Sequence, residues 1–214
     1  VPGYNKMRIS TTTARTLRII FACFCIASAS AHAANDDGYG LPGEYTLVWF
    51  PDAREMGWGG GSSAFPGRCG AAFYHNPAGF GLIDHTQTMV GYTRAFSDIS
   101  FYSGAFAYPF GSYGSLGLAL IGSGKTDIPR LDDFGIQRGT YAANDNSVVL
   151  SYGKTLADRW SIGMSLKMAS EFMHTYSGLG VRFDIGTHAI ILPWLRAGMS
   201  LINLGGPRLK VVDE

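Results

Sequence analysis

The feature that most constrains this chain is a strict alternation of apolar with small or polar residues, which begins at about Gln87. Between positions 159 and 169, large apolar residues occupy every second position: Trp160, Ile162, Met164, Leu166 and Met168. Successive side chains of a β-strand point to opposite faces of a sheet. The pattern therefore predicts a strand with one wholly apolar face and one small or polar face.

The same alternation predicts seven strands, at residues 88–96, 100–110, 115–121, 147–155, 159–169, 179–186 and 195–201. The clearest of them are about nine to eleven residues long, which is the length that crosses a bilayer as a tilted strand. We therefore predict an all-β fold, an antiparallel transmembrane β-barrel. Gly and Ser recur on the face opposite the apolar one, as suits a crowded or water-filled lumen.

Aromatic residues near the strand ends are placed as in the interfacial girdles of membrane barrels. They are Phe96, Phe101, Tyr102, Tyr108, Phe110, Tyr152, Trp160 and Trp194. Residues 111–114 and 156–158 are predicted as short turns, and the polar stretch 122–146 as a long external loop. Seven strands leave two sheet edges open, and open edges do not persist in lipid. The chain is therefore expected to be part of a larger barrel or to close by oligomerisation.

The first 33 residues have the pattern of a cleaved signal peptide. Arg8, Arg15 and Arg18 precede an apolar stretch at 19–29, and Ala31-His32-Ala33 has the small residues of a cleavage site. Residues 1–6 read as an over-extended start. Export and the barrel pattern together predict a location in the outer membrane, and the later chain has no apolar run long enough for a membrane-spanning helix.

Loss of this segment leaves Cys69 as the only cysteine, which we expect to be a buried thiol. It also leaves 13 basic against 16 acidic residues, because four basic and no acidic residues lie before Ala33. The net negative charge argues against a nucleic-acid partner. The predicted division is a signal peptide at 1–33, an irregular segment at 34–86 and a partial barrel at 87–214. Within the irregular segment we expect a helical turn near 51–56 and a kink at Asn76-Pro77-Ala78-Gly79.

Chemistry-bearing motifs are weak. Gly122-Ser123-Gly124-Lys125-Thr126 resembles a phosphate-binding loop, but the first glycine of the spacing is replaced by Ala119 and no helix is predicted to follow. The histidines lack the short spacings of a metal site, and a hydrolase would have to combine Ser170 with His174. We therefore predict no enzyme activity, no metal and no cofactor. Polar-face charges, candidates for a barrel lumen, are Lys167, Arg182, Asp184 and Arg196.

The segment from Gly70 to Phe80, which contains Asn76-Pro77-Ala78-Gly79, resembles the FadL-like outer-membrane superfamily, including its PorV and PorQ branch. Ser115 to Leu120, Ser161 to Lys167 and Asn203-Leu204-Gly205 are similar to later family segments in the same order. The resemblance implies a barrel of about fourteen strands, of which this chain holds about half. It also implies that Asn76, Pro77 and Ala78 form a kink near the lumen that shapes a lateral opening.

The resemblance implies passage of hydrophobic small molecules, such as long-chain fatty acids, across the outer membrane. The segment 34–64 has no obvious hydrophobic hatch, and the PorV branch includes proteins of secretion systems. The alternative is therefore a barrel that acts as a secretion-system component or protein scaffold. Expected partners are outer-membrane lipid and hydrophobic small molecules, with secretion-system proteins in the alternative.

Overall fold

The computed structural model describes residues 53–57, 63–64, 68–157, 159–173 and 176–205. The predicted signal peptide and the residues after Gly205 lie outside the described residues. Seven strands form one antiparallel sheet, in which each strand pairs with the next along the chain. The strands are β1 (Gln87–Arg94), β2 (Ser100–Pro109), β3 (Ser115–Leu131), β4 (Gln137–Ala157), β5 (Trp160–Met173), β6 (Tyr176–Leu192) and β7 (Leu195–Leu204).

The number and order of the predicted strands are confirmed, but the prediction of a long loop at 122–146 was wrong. Pairing between β3 and β4 continues through Gly122 with Asn146 and Lys125 with Ala143. It extends past two register shifts, one of them between Lys125 and Ile128, so that residues 132–136 alone form the connection. The residues of this polar ribbon, 125–131 and 137–143, are exposed or half-buried, so their pairing does not depend on an apolar face.

Burial in the sheet is inverted relative to a soluble protein. On β5 the small and polar residues are buried, whereas Trp160, Ile162 and Met164 on the other face are exposed. Met164 is 61% exposed, and Lys167, three residues away on the opposite face, is 1% exposed. The same alternation is seen in β2, in the first half of β3 and in β6. The described sheet thus hides polar side chains and presents large apolar ones.

The segment before β1 covers the buried face. Its described residues form two short α-helices, α1 (Ala53–Gly57) and α2 (Cys69–Tyr74), and a 3-10 helix, Pro77–Leu82. The helical turn expected near 51–56 is present as α1, and the predicted kink begins the 3-10 helix. Among the described residues, no helix has the length and apolar character needed to cross a membrane.

Helix α2 and the 3-10 helix supply the aromatic side chains of the hydrophobic core. Phe73 and Phe80 meet edge to face, with ring centroids 4.7 Å apart. They pack among small inward residues of β2 to β4, including Ala107 and Ala119. Cys69 is a buried thiol in the same cluster, as expected. Phe101 also lies on the buried face, so its predicted place in an interfacial girdle was wrong.

Candidate functional site

The centre of the buried face is a row of three glycines on neighbouring strands. Gly153 pairs with Gly163, and Gly163 pairs with Gly186, so the three lie side by side across β4, β5 and β6. A Cβ atom added at Gly163 would overlap the carbonyl of Pro77, and one added at Gly186 would overlap the Asn76 side chain. Because these glycines have no side chains, the segment that contains the kink Asn76 to Gly79 (the kinked segment) packs directly against the sheet.

Asn76 holds this segment in place with its side-chain amide. Its Nδ2 donates to the carbonyls of Ser63 and Thr187, each at 2.8 Å, and its Oδ1 accepts from the backbone N–H of Ala78 at 3.0 Å. The last bond is the N-cap of the 3-10 helix, and Pro77 follows at the first helical position, where its missing N–H is no loss. All the predicted kink residues, Asn76 to Gly79, are buried.

Hydroxyl groups of the sheet satisfy the backbone carbonyls of the same segment. Ser161 Oγ donates to the Ala78 carbonyl at 2.9 Å, and Thr155 Oγ1 donates to the Gly81 carbonyl at 2.6 Å. Ser200 in β7 donates in the same way to the carbonyl of His75. Buried carbonyls need such partners. The serines and glycines of this face therefore serve close packing of the sheet against the segment that covers it.

Beside the glycine row lies a buried ion pair. Lys167 Nζ is 2.6 Å from Asp184 Oδ2, and each residue is 1% exposed. Asn203 completes the site, because its Oδ1 accepts from Lys167 at 3.1 Å and its backbone N–H donates to Asp184 Oδ1 at 2.7 Å. Charges this deeply buried are tolerated only when they are paired and hydrogen-bonded.

A β-bulge brings Asn203 to this pair. The pairing of β6 with β7 shifts between Phe183 and Ile185, and Asn203 adopts a positive φ of 57°. Asn tolerates this left-handed conformation better than most residues. The alternation pattern predicts regular strands and so gave no signal for this third member of the site.

The four charged residues predicted to share the polar face are brought together only in part. Arg182 pairs directly with Lys167 across β5 and β6 and is also buried. Arg196 lies opposite Ile190 near the start of β7 and is exposed. The buried charged cluster therefore consists of Lys167, Arg182 and Asp184, with Asn203 as its polar neighbour.

A second ionisable contact joins the kinked segment to α1. His75 Nε2 lies 3.8 Å from Glu55 Oε2, and Glu55 is buried. Burial lowers the pKa of His75. The Glu55 carboxylate opposes this shift by raising the pKa, and the positive charge of Lys167 lowers it further. Glu55 also lines a cavity of about 390 Å³ together with Arg68 and Gln87. Glu55 was not singled out from the sequence, where it is one acidic residue in an irregular stretch.

Among the described residues, neither the glycine-rich motif at 122–126 nor Ser170 is in a catalytic arrangement. Gly122 to Thr126 lies within β3, so the prediction of a surface loop there was wrong. In the described chain, this motif is followed by no α-helix or 3-10 helix. Ser170 Oγ donates to the Asn146 carbonyl at 3.4 Å, and His174 lies outside the described residues. Among the described residues, no group of three or more His, Cys, Asp or Glu side chains is placed to hold a metal ion.

Comparison of the chain with protein-family models, with curated proteins and with solved structures finds no match.

Proposed function

We propose that this chain forms part of an outer-membrane β-barrel of the FadL-like type, used for passage of hydrophobic small molecules such as long-chain fatty acids. The observation that carries the proposal is the inverted burial of the sheet. Large apolar side chains cover its exposed face, and serines, glycines and an ion pair fill its buried face. Water-soluble proteins rarely expose apolar patches of this extent, whereas the outer surface of a membrane barrel consists of them.

The dimensions of the exposed apolar face fit a bilayer. On β5 this face runs from Trp160 to Phe172, interrupted by Ser170 alone. Twelve residue steps at about 3.3 Å each, tilted by about 40°, correspond to a height of about 30 Å. Exposed aromatic residues near the short-turn end, including Tyr108, Tyr152 and Trp194, are where the predicted girdle would lie.

The kinked segment is the proposed site of passage. Asn76 to Gly79 lies on the buried face over the glycine row, and the resemblance to the FadL-like superfamily implies a gating role at these positions. Movement of the segment would uncover a groove without side chains across β4, β5 and β6. An apolar solute would enter that groove from water and leave sideways into lipid, driven by burial of its apolar surface.

The alternative function, a secretion-system component or protein scaffold, is favoured by a different observation. Asn76 has every hydrogen-bonding group of its side-chain amide occupied, and Pro77 and Ala78 are fully buried. A segment fixed in this way keeps the buried face closed to solutes. A scaffold functions with this face closed, because it transports no solute.

Two serines of β5 allow these functions to be separated. Ser161→Ala removes a hydrogen bond to the Ala78 carbonyl, whereas Ser165→Ala removes one to Ser151 within the sheet. Both serines are buried on the same strand face. Full-length protein with each substitution would be tested for uptake of long-chain fatty acids into proteoliposomes, with heat-modifiable gel mobility as the check of barrel formation.

A transporter should take up fatty acid, and Ser161→Ala should change the rate several-fold while Ser165→Ala leaves it near that of the unmodified protein. Fatty acids should also co-purify with the extracted protein and be identified by mass spectrometry. A heat-modifiable barrel that carries no lipid, shows no uptake above empty vesicles and retains protein partners would instead identify the scaffold.

A further inference from the structure

A cavity of about 660 Å³ lies on the exposed face of the sheet, at the end that bears the β3–β4 ribbon. Small-molecule sites in proteins have volumes of about 300–1,000 Å³. Two tyrosines, an asparagine and two aspartates contribute to its lining: Tyr92, Tyr102, Asn144, Asp98 and Asp127. The cavity belongs neither to the kinked segment nor to the buried ion pair, and the proposed passage of apolar solutes does not use it.

Two glycines of β3 allow side chains of the neighbouring strands to lie over this part of the sheet. A Cβ atom at Gly122 would overlap the ring of Tyr102, which extends from β2. A Cβ atom at Gly124 would overlap the amide oxygen of Asn144, which extends from β4. An aromatic ring and an amide group therefore converge on the cavity from opposite sides of β3.

Both tyrosine rings are held by their hydroxyl groups. Tyr102 donates to Asn146 Oδ1 in β4 at 2.6 Å, and the hydroxyl of Tyr92 lies 3.1 Å from Ser100 Oγ in β2. Tyr92 and Tyr102 pair directly across β1 and β2, and their side chains remain 68% and 44% exposed. Two fixed rings thus present aromatic surface to the cavity, and a ligand would bind there without the entropic cost of ordering them.

Planar polar groups with free hydrogen-bonding capacity surround the rings. Arg94 Nη2 lies 2.9 Å from Asp98 Oδ1, and both side chains are largely exposed. A guanidinium has five N–H donors and a carboxylate about four acceptor positions, so this single contact leaves most of them accessible. Asp127 Oδ2 accepts from Thr126 Oγ1 at 3.1 Å, and this carboxylate also lines the cavity.

The charge of the cavity is not favourable for an anion. Lys125 follows Gly124 in β3 and pairs with Ala143, so its side chain projects to the opposite face of the sheet. Among the described side chains on this side, Arg94 is the cation that lines the cavity, and it is already paired with Asp98. The carboxylate of Asp127 is therefore left without a compensating cation in the lining.

We propose that this cavity binds a neutral saccharide ring. The C–H groups on one face of a sugar ring are weakly positive and pack against the negative face of an aromatic ring, here Tyr92 and Tyr102. Sugar hydroxyls both donate and accept hydrogen bonds, which matches the amide of Asn144, the carboxylate of Asp127 and the pair formed by Arg94 and Asp98. The excess carboxylate disfavours phosphorylated and other acidic sugars.

The position of the cavity is compatible with a sugar carried on a lipid. Val90, Gly104 and Leu120 pair in the next row of the same face, where the exposed surface becomes apolar. A saccharide in the cavity would therefore lie at the border of the apolar face. A glycolipid as its source rests on the proposed membrane location, whereas a free oligosaccharide does not.

The first experiment measures binding of the full-length protein, in an amine oxide detergent without a sugar headgroup, to immobilised oligosaccharides. The probes are oligosaccharides of glucose, galactose, mannose and N-acetylglucosamine, each in a neutral and a phosphorylated form. We expect binding to at least one neutral probe, at least about fivefold tighter than to its phosphorylated form. Tyr92→Leu and Tyr102→Leu should each weaken this binding by about fivefold or more. Tyr108→Leu is the matched control, because Tyr108 lies on the same face of β2 with similar exposure, 47%, at the other end of the strand.

Two further variants test the polar groups. Asn144→Ala leaves both rings in place and should also weaken binding, so the test does not depend on the tyrosine variants alone. Asp127→Asn should reduce the discrimination against phosphorylated sugars. Absence of binding to every neutral probe, equal binding of the phosphorylated forms, or unchanged binding in the tyrosine and asparagine variants would overturn the proposal.

Competition identifies the source of the sugar. The methyl glycoside and the dodecyl glycoside of the bound sugar are compared as competitors, with dodecylphosphocholine as the control for the alkyl chain. A dodecyl glycoside that competes at least about tenfold better than the methyl glycoside, without competition by the control, indicates a glycolipid; equal competition indicates a free oligosaccharide. Heat-modifiable mobility is measured on every sample. Saccharide binding by a protein that never shows this mobility would refute the membrane barrel and support the site, whereas a barrel that binds no saccharide would refute the site alone.

Discussion

The side-chain amide of Asn76 donates to the backbone carbonyl of Thr187 at 2.8 Å, across 111 residues of sequence. This bond joins the segment before the first strand to the middle of β6, and the same amide also binds Ser63 and Ala78. Asn76→Ala leaves the Ser63 and Thr187 carbonyls and the Ala78 N–H without this partner. At about 1–3 kcal/mol for each unsatisfied group, we expect a loss of at least about 3 kcal/mol in unfolding free energy, measured by thermal unfolding in detergent. A variant as stable as the unmodified protein would contradict the tethering role of Asn76.

The glycine row should tolerate no side chain. Gly163→Ala places a Cβ atom against the Pro77 carbonyl, and overpacking of this kind costs about 1–3 kcal/mol. Gly104→Ala is the matched control, because this glycine is also in a strand interior and has open space around its Cβ position. Thermal unfolding of the two variants should differ in midpoint, with Gly104→Ala within about 0.5 kcal/mol of the unmodified protein. Similar effects of the two substitutions would show that close packing is not the reason for Gly163.

The buried ion pair should show strong coupling. Lys167→Met leaves the carboxylate of Asp184 buried without its cation, which costs about 3–5 kcal/mol. The double variant Lys167→Met with Asp184→Asn should recover much of this loss, because neither charge of the pair remains buried and the Asn203 N–H keeps an acceptor. A double-mutant cycle of unfolding free energies measures the coupling. Additive losses would mean that the two side chains stabilise the protein independently.

Stability should fall in mildly acidic solution because of His75. Its pKa is lowered in the folded protein from the ordinary value of 6.5, so the unfolded chain binds the proton more readily. The contribution of His75 is therefore fully present above about pH 6.5 and is lost as the pH decreases from there through the lowered value. Unfolding midpoints between pH 7.5 and 5 should decrease, and His75→Gln should flatten this part of the profile. An unchanged profile in that variant would assign the acid sensitivity to other groups.

The proposed membrane location predicts that the free-energy cost of a charged residue depends on its position along the exposed face. Leu150 and Leu131 are both exposed leucines, the first in the middle of the apolar face and the second at the end of the β3–β4 ribbon. Leu150→Arg should reduce membrane insertion, since an arginine at the bilayer centre costs about 2–4 kcal/mol. Leu131→Arg should insert normally. Fractionation and heat-modifiable mobility provide the measurement, and equal insertion of both variants would argue against a bilayer around this face.

Much of the sheet could be predicted from the sequence, because a period of two is a local signal. The exposed row of β5 and the buried Ser161, Gly163 and Ser165 were assigned to the correct faces by alternation alone. The β3–β4 ribbon was missed, because its stretch is long and polar and shows no regular alternation with apolar residues. Helix α2 was missed for another reason: its six residues are all buried and so show no amphipathic period.

The site could be predicted only in outline. Lys167, Arg182 and Asp184 were assigned to one face, because residues of equal parity share a face within a strand. That Lys167 pairs with Asp184 depends on the register between two strands, and that Asn203 joins them depends on a bulge. The contact between Asn76 and Thr187 depends on the path of the whole chain. Register, bulges and chain path are set by tertiary packing and leave no local pattern.

The β3–β4 ribbon has a consequence for the kinetics of this protein. Among the described residues, β3 has no pairing partner in β2 beyond Gly124, and β4 has none in β5 before Ala143. Each half of the ribbon is therefore held by the other half alone, and isolated two-stranded hairpins are only marginally stable in water. Its amide hydrogens should exchange with deuterium long before those of the sheet centre. The exchange rate of the ribbon can therefore be used to detect binding, since a molecule that binds there would slow this exchange without altering that of β5 and β6.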